Sequence, residues 1–186
     1  MDNSARAERV GVVLRHPDRP IPSRRRLLLS ATPAMSVAVL TGLAATWWAG
    51  RTGSEPLWFL LVWAAVLAIS WVALNFARVP RPFLAHTQQR RDVTAARRRA
   101  LRANRLPNSS SIRIGAAARS CGQLENMALL TAVGATIVAG TLLRPELPWL
   151  PVIVAWGVLT ATTLVAAVRA WAFLRMHERR SLPPTR

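Results

Sequence analysis

Residues 27–50 read LLLSATPAMSVAVLTGLAATWWAG, a stretch without one charged side chain, bounded by Arg24, Arg25 and Arg26 on one side and Arg51 on the other. About 20 residues of helix cross the roughly 30 Å hydrocarbon layer of a bilayer, so this run is long enough to span one. Three further stretches have the same character: LWFLLVWAAVLAISWVALNFA at 57–77, NMALLTAVGATIVAGTLL at 126–143 and LPWLPVIVAWGVLTATTLVAAV at 147–168. Any one of them could be a buried helix of a soluble domain. Four of them in a chain of 186 residues leave too few amphipathic elements to build a polar shell around them. The expected fold is all-α: a polytopic membrane protein with four transmembrane helices as two hairpins, and a long basic cytoplasmic helical loop between helices 2 and 3.

Working outward from the runs, the charges are concentrated between them. There are 25 basic side chains against 8 acidic ones, a formal net charge of +17, and no lysine at all. Cytoplasmic flanks accumulate basic residues and translocated ones do not. Arg78, Arg81, Arg90, Arg91, Arg97, Arg98, Arg99, Arg102, Arg105, Arg113 and Arg119 lie between the second and third runs, whereas the short connections hold only Arg51 with Glu55 and Arg144 with Glu146. The expected organisation is a basic, largely disordered cytoplasmic tail at 1–26, a transmembrane hairpin at 27–77, an arginine-rich cytoplasmic helical loop at 78–124, a second hairpin at 125–174 and a cytoplasmic tail at 175–186. The arginine-rich composition is that of small multi-span proteins of high-GC bacteria, so a bacterial cytoplasmic membrane is the expected location. The basic region ahead of the first run is too long, and the run itself too long, for a cleaved signal peptide.

Tryptophans at the ends of the runs fit the headgroup level, where the indole can bury its ring and keep its N–H wet. Trp47, Trp48 and Trp58 flank the first outer turn and Trp149 the second, while Trp63, Trp71 and Trp156 sit deeper and suit helix packing or lipid contact. Small residues at four-residue spacing let helices approach closely in lipid. Ala34, Ala38 and Gly42 make such a row in the first run, and Ala132, Thr136 and Gly140 one in the third; these are the expected faces toward other helices, within the chain or in a homo-oligomer. Pro33 is expected to begin or bend the first helix.

No ionisable residue lies in the middle of a run, which argues against a proton-coupled pump. At the inner ends Asn75, Arg78, Glu125, Asn126 and Arg169 form an expected polar cluster that orients the helices. Sliding the second hairpin over the first matches Glu55 with Glu146, Trp58 with Trp149, Arg78 with Arg169 and His86 with His177 at one offset, the trace expected of a duplication or of convergent end-marking.

Within the loop, FLAHTQQRRDVTAARRRALRANRL at 83–106 lacks Gly and Pro and reads as a helix, broken by PNSSS, after which a second helix capped by Ser109, Ser110 or Ser111 runs into the third span. Phe83, Val93, Ala96, Ala100 and Leu101 share a weakly apolar flank. Arg90, Arg91, Arg97, Arg98, Arg102 and Arg105 crowd the remainder and are the expected contact to anionic lipid or to a partner, since such a helix near a bilayer is drawn to acidic headgroups. Nucleic acid would attract the same arginines, but no recognition motif supports it. Enzyme chemistry fails on inventory: His16, His86 and His177 are scattered, there is no phosphate-binding, nucleophile-elbow or CxxC motif, and only Glu55 and Glu146 could form a carboxylate pair. No cofactor and no metal is expected, and Cys121, the single cysteine, cannot form an internal disulfide. The expected function is that of a non-enzymatic accessory or scaffold component with membrane lipid, a second copy or another membrane protein as partner; a small oligomeric channel or transporter and a membrane-tethered nucleic-acid binder are the alternatives.

Overall fold

The computed structural model describes residues 14–16, 18–52, 55–84 and 89–181. Among them are five helices: α1 (Arg24–Thr52), α2 (Pro56–Ala77), α3 (Gln89–Ala103), α4 (Ser110–Leu143) and α5 (Trp149–Ser181). Helices α1, α2, α4 and α5 are each long and apolar enough to cross a membrane. The chain divides into two compact units, a basic one made of Met1–Arg24, Val79–Leu124 and Ala166–Arg186, and an apolar one made of Arg25–Arg78 and Glu125–Val165.

The apolar unit is held by small residues and one aromatic group. Ala31, Ala34 and Ala38 of α1 are fully buried with Phe59, Trp63 and Val66 of α2 and Leu129, Ala132, Val133 and Ile137 of α4. Close approach is the reason: a Cβ at Gly42 would lie 2.6 Å from Thr136 Cγ2 and 3.3 Å from Trp63. Trp149 packs edge-on against Phe59 (centroids 5.0 Å apart, 89° between planes) and against Trp63 (5.6 Å, 64°), geometry that aligns ring edges with ring faces. Its Nε1 donates to the Arg144 carbonyl at 2.8 Å. Gly140 makes room for this ring, since a Cβ there would overlap Trp149 and lie 3.2 Å from Thr46 Oγ1. Trp149, at a helix end, thus takes the inward face and is 5% exposed. Position along a run fixes depth, not which face of the helix a side chain takes.

Pro33 lies inside α1, not at its start, because the helix begins at Arg24. The proline has no N–H for the Leu29 carbonyl, and the Thr32 hydroxyl donates to that carbonyl at 2.8 Å. In α2, Pro56 occupies the first turn, where its missing N–H is harmless.

In the basic unit, Leu14–Arg15 and Phe83–Leu84 pair as a two-residue antiparallel ladder, β1 with β2, so the expected tail 1–26 includes a short strand and the first turn of α1. Phe83 is correspondingly not helical, being drawn with Leu84 into the ladder, and α3 spans Gln89–Ala103. Residues 85–88, with His86, lie outside the described residues. Gln89, Val93, Arg97 and Ala100 form the buried face of α3. Gly115 of α4 receives this layer, since a Cβ there would lie 3.1 Å from Leu84, 3.6 Å from Leu14 and 3.7 Å from Val93. Helix α3 closes with Asn104 at φ 48°, Arg105 N–H donating to the Ala100 carbonyl (3.1 Å) and Asn104 N–H to Leu101 (3.4 Å), the paired bonds of a left-handed helix stop.

Candidate functional site

Arg78 ends α2 and its guanidinium makes two hydrogen bonds and one ion pair within the apolar unit. Nη1 donates to Asn75 Oδ1 (2.6 Å) and Nη2 to Asn126 Oδ1 (3.0 Å), and Nε lies 3.2 Å from Glu125 Oε2. Glu125 is 1% exposed, so this is an ion pair with its anion at the bottom. The structure thus brings four of the five residues of the expected inner cluster together. Arg169 belongs to the basic unit, where it is exposed. The two asparagine amides hold the guanidinium in place over the shielded carboxylate, an arrangement that orients the helix ends.

The small-residue rows are used inside the apolar unit. Ala34, Ala38, Ala132 and Thr136 are buried, and Gly42 and Gly140 sit under Thr136, Trp63 and Trp149. Their hydroxyls satisfy themselves: Thr46 donates to the Gly42 carbonyl and Thr136 to that of Ala132, both at 2.9 Å.

On α3, Arg90, Arg91, Arg98, Arg102 and Arg105 are exposed. Arg97 corrects the expected lipid-contact set, for it is 3% exposed, one helical turn from Val93 on the buried face. Its Nη1 donates to Gln123 Oε1 and, at 3.3 Å, to Ser120 Oγ, both on α4. Burial first, and then the neighbouring cations Arg119, Arg169 and Arg98, push its pKa down to about 10, which leaves it charged at neutral pH. Arg90, Arg91, Thr94, Ala95 and Arg98 of α3 and Arg119 of α4 line a cleft of about 380 Å³.

Elsewhere in the basic unit, Glu178 of α5 caps the start of α1, accepting from the Arg24 N–H at 2.8 Å and from Arg24 Nε at 2.7 Å, while the same guanidinium stacks 4.4 Å over Trp171. Sequence reasoning missed this cap and the partners of Arg97. The usable signal was the spacing of Gly115, Arg119 and Gln123 along one face of α4, which marks a surface open to close approach.

No group of three or more His, Cys, Asp or Glu with metal-holding geometry occurs among the described residues. Glu146 is paired with Arg144 at 3.1 Å, and its carboxyl is held below the ordinary glutamate range by a bond to its own backbone N–H and then by that guanidinium. The proposed internal match also divides, since Trp58 is 48% exposed where Trp149 is buried, and Arg78 is ion-paired where Arg169 is exposed. Cys121 is buried. Four helices of membrane-spanning length and apolarity suggest a membrane protein. No family model, no curated protein and no solved structure matches this chain.

Proposed function

We infer that this is a non-enzymatic integral membrane protein of a bacterial cytoplasmic membrane, with both termini and α3 on the cytoplasmic side, serving as an accessory or scaffold component. The observation that carries this reading is the outward surface of the four long helices. Phe76 is 88% exposed, and Leu40, Leu57, Leu142, Leu143, Leu150 and Val168 are also turned outward. In water so much exposed apolar surface would drive aggregation, at about 25 cal/mol for each Å² left uncovered; in hydrocarbon it is neutral.

Because the small-residue rows pack within the apolar unit, the faces left for partner helices are the larger aliphatic ones. Helix α5 is the least covered of the four. The exposed arginines of α3 supply a cationic surface for acidic headgroups or an acidic partner. A pore gains no support from the threonines, whose hydroxyls at Thr46, Thr136 and Thr163 donate to carbonyls of their own helices.

Alkaline carbonate extraction of membranes from cells producing the protein tests the reading. The protein is expected to stay in the pellet and to leave it only with detergent. Release into the carbonate supernatant would overturn the integral assignment.

A further inference from the structure

Several of the less exposed arginines of this protein have a partner of their own. Arg24 has Glu178, Arg78 has Glu125, Arg144 has Glu146, and Arg97 has Ser120 and Gln123. The cleft between α3 and α4 is different. It gathers Arg90, Arg91 and Arg98 from three positions of one helix face and Arg119 from the facing helix. Among the described residues none of these four is paired with a carboxylate. Arg119 Nε is shut off from solvent and has no hydrogen-bond acceptor among the described residues. Thr94 offers the guanidinium groups no counter-charge, and its hydroxyl proton is taken by the Arg90 carbonyl at 2.6 Å.

Such an arrangement is unfavourable by itself. A buried donor without an acceptor is costly, and the Arg90 and Arg119 cations repel one another across the cleft. Ala95, the only apolar lining residue, is too small to fill the space. An anion seated there would accept from the surrounding guanidinium groups and neutralise the repulsion between them. Planar guanidinium forks match the oxygens of a phosphoryl group in parallel pairs, and several forks from two helices suit a tetrahedral anion better than a flat carboxylate.

We propose that the α3–α4 cleft, lined by Arg90, Arg91, Arg98 and Arg119, is a binding site for a phosphoryl group, carried either by a lipid headgroup or by a free phosphate. The lipid source rests on the membrane reading above; the free-phosphate source does not.

The test uses the full chain purified in an uncharged detergent and titrated calorimetrically with inorganic phosphate and, separately, with dihexanoyl phosphatidic acid. Saturable binding of at least one probe is expected, with Arg119→Gln weaker by roughly tenfold or more. Arg99→Gln, an exposed α3 arginine outside this cleft, is expected to bind within about twofold of the parent. Binding of the lipid probe alone assigns a headgroup, and equal or better binding of inorganic phosphate assigns a free phosphate. No saturable binding of either, or equal losses in Arg119→Gln and Arg99→Gln, overturns the site. Should Arg119→Gln fail to fold, the exposed Arg98→Gln carries the same expectation. A carbonate-released protein that binds phosphate would refute the membrane reading and keep the site; a carbonate-resistant protein indifferent to both probes would do the reverse.

Discussion

Arg97 is the residue at which charge and burial are most at odds. Its guanidinium lies on the closed face of α3 with neutral acceptors, Ser120 and Gln123, and three arginines raise its energy further. Ser120 Oγ already donates to the Ala116 carbonyl at 2.8 Å, so removing the guanidinium leaves no hydroxyl proton stranded. Replacing a buried charge by an apolar chain of similar length is often neutral or stabilising. Arg97→Met is therefore expected to keep or raise the thermal unfolding midpoint in detergent, by up to about 1–2 kcal/mol in stability. The pH dependence has a definite sign. The folded-state pKa is lowered to about 10, so above that pH the unfolded chain holds the proton that the folded chain loses, and the parent gains stability relative to Arg97→Met as pH rises toward the ordinary arginine range. A midpoint that drops by several degrees at neutral pH in Arg97→Met would mean that the hydrogen bonds outweigh the buried charge.

At the scale of elements, close packing decides which glycines matter. A Cβ at Gly140 of α4 would collide with the Trp149 ring, whereas at Gly157 of α5 nothing lies within 4 Å. Helix propensity favours alanine over glycine at both places by about 0.5–1 kcal/mol. Overpacking reverses the sign at the first, where displacing a ring from a filled layer costs about 1–3 kcal/mol. Gly140→Ala is expected to lower the unfolding midpoint and Gly157→Ala to raise it; equal shifts would mean that Trp149 yields freely. The sequence made the elements legible to different degrees. Run length and absence of charge located the four long helices, because those properties are local. Helix α3 was legible in composition, but its start was not, because the chain before it is drawn into a ladder with Leu14 and Arg15, some seventy positions away. The place of Arg97 between Val93 and Ala100 on one face was readable from helical spacing. What could not be read was the α4 surface opposite, and hence which arginines would be covered and which would be left around an empty-handed Arg119.

For the whole molecule, the distribution of arginine implies an orientation that the membrane potential reinforces. The segment from Arg78 to Arg119 carries its arginines against one carboxylate between them, Asp92, while each short connection balances one Arg with one Glu. Moving a cation outward across an inside-negative membrane costs about 2.3 kcal/mol per charge for each 100 mV, so translocating this segment is opposed many times over and translocating either connection hardly at all. The prediction is that Glu55→Cys, in the first connection, reacts with a membrane-impermeant maleimide in intact spheroplasts, whereas Arg102→Cys on α3 reacts only after lysis. Both positions are exposed, so accessibility to water is matched. The native Cys121 is buried and contributes little background, which the unsubstituted protein measures directly. Labelling of Arg102→Cys in intact spheroplasts would put the basic helix outside, and would leave its arginines facing the wrong leaflet for the attraction that the charge pattern implies. Labelling of both positions before lysis would instead mean that the chain does not cross the bilayer between them, and the exposed apolar faces of α2 and α5 would then need a protein to cover them.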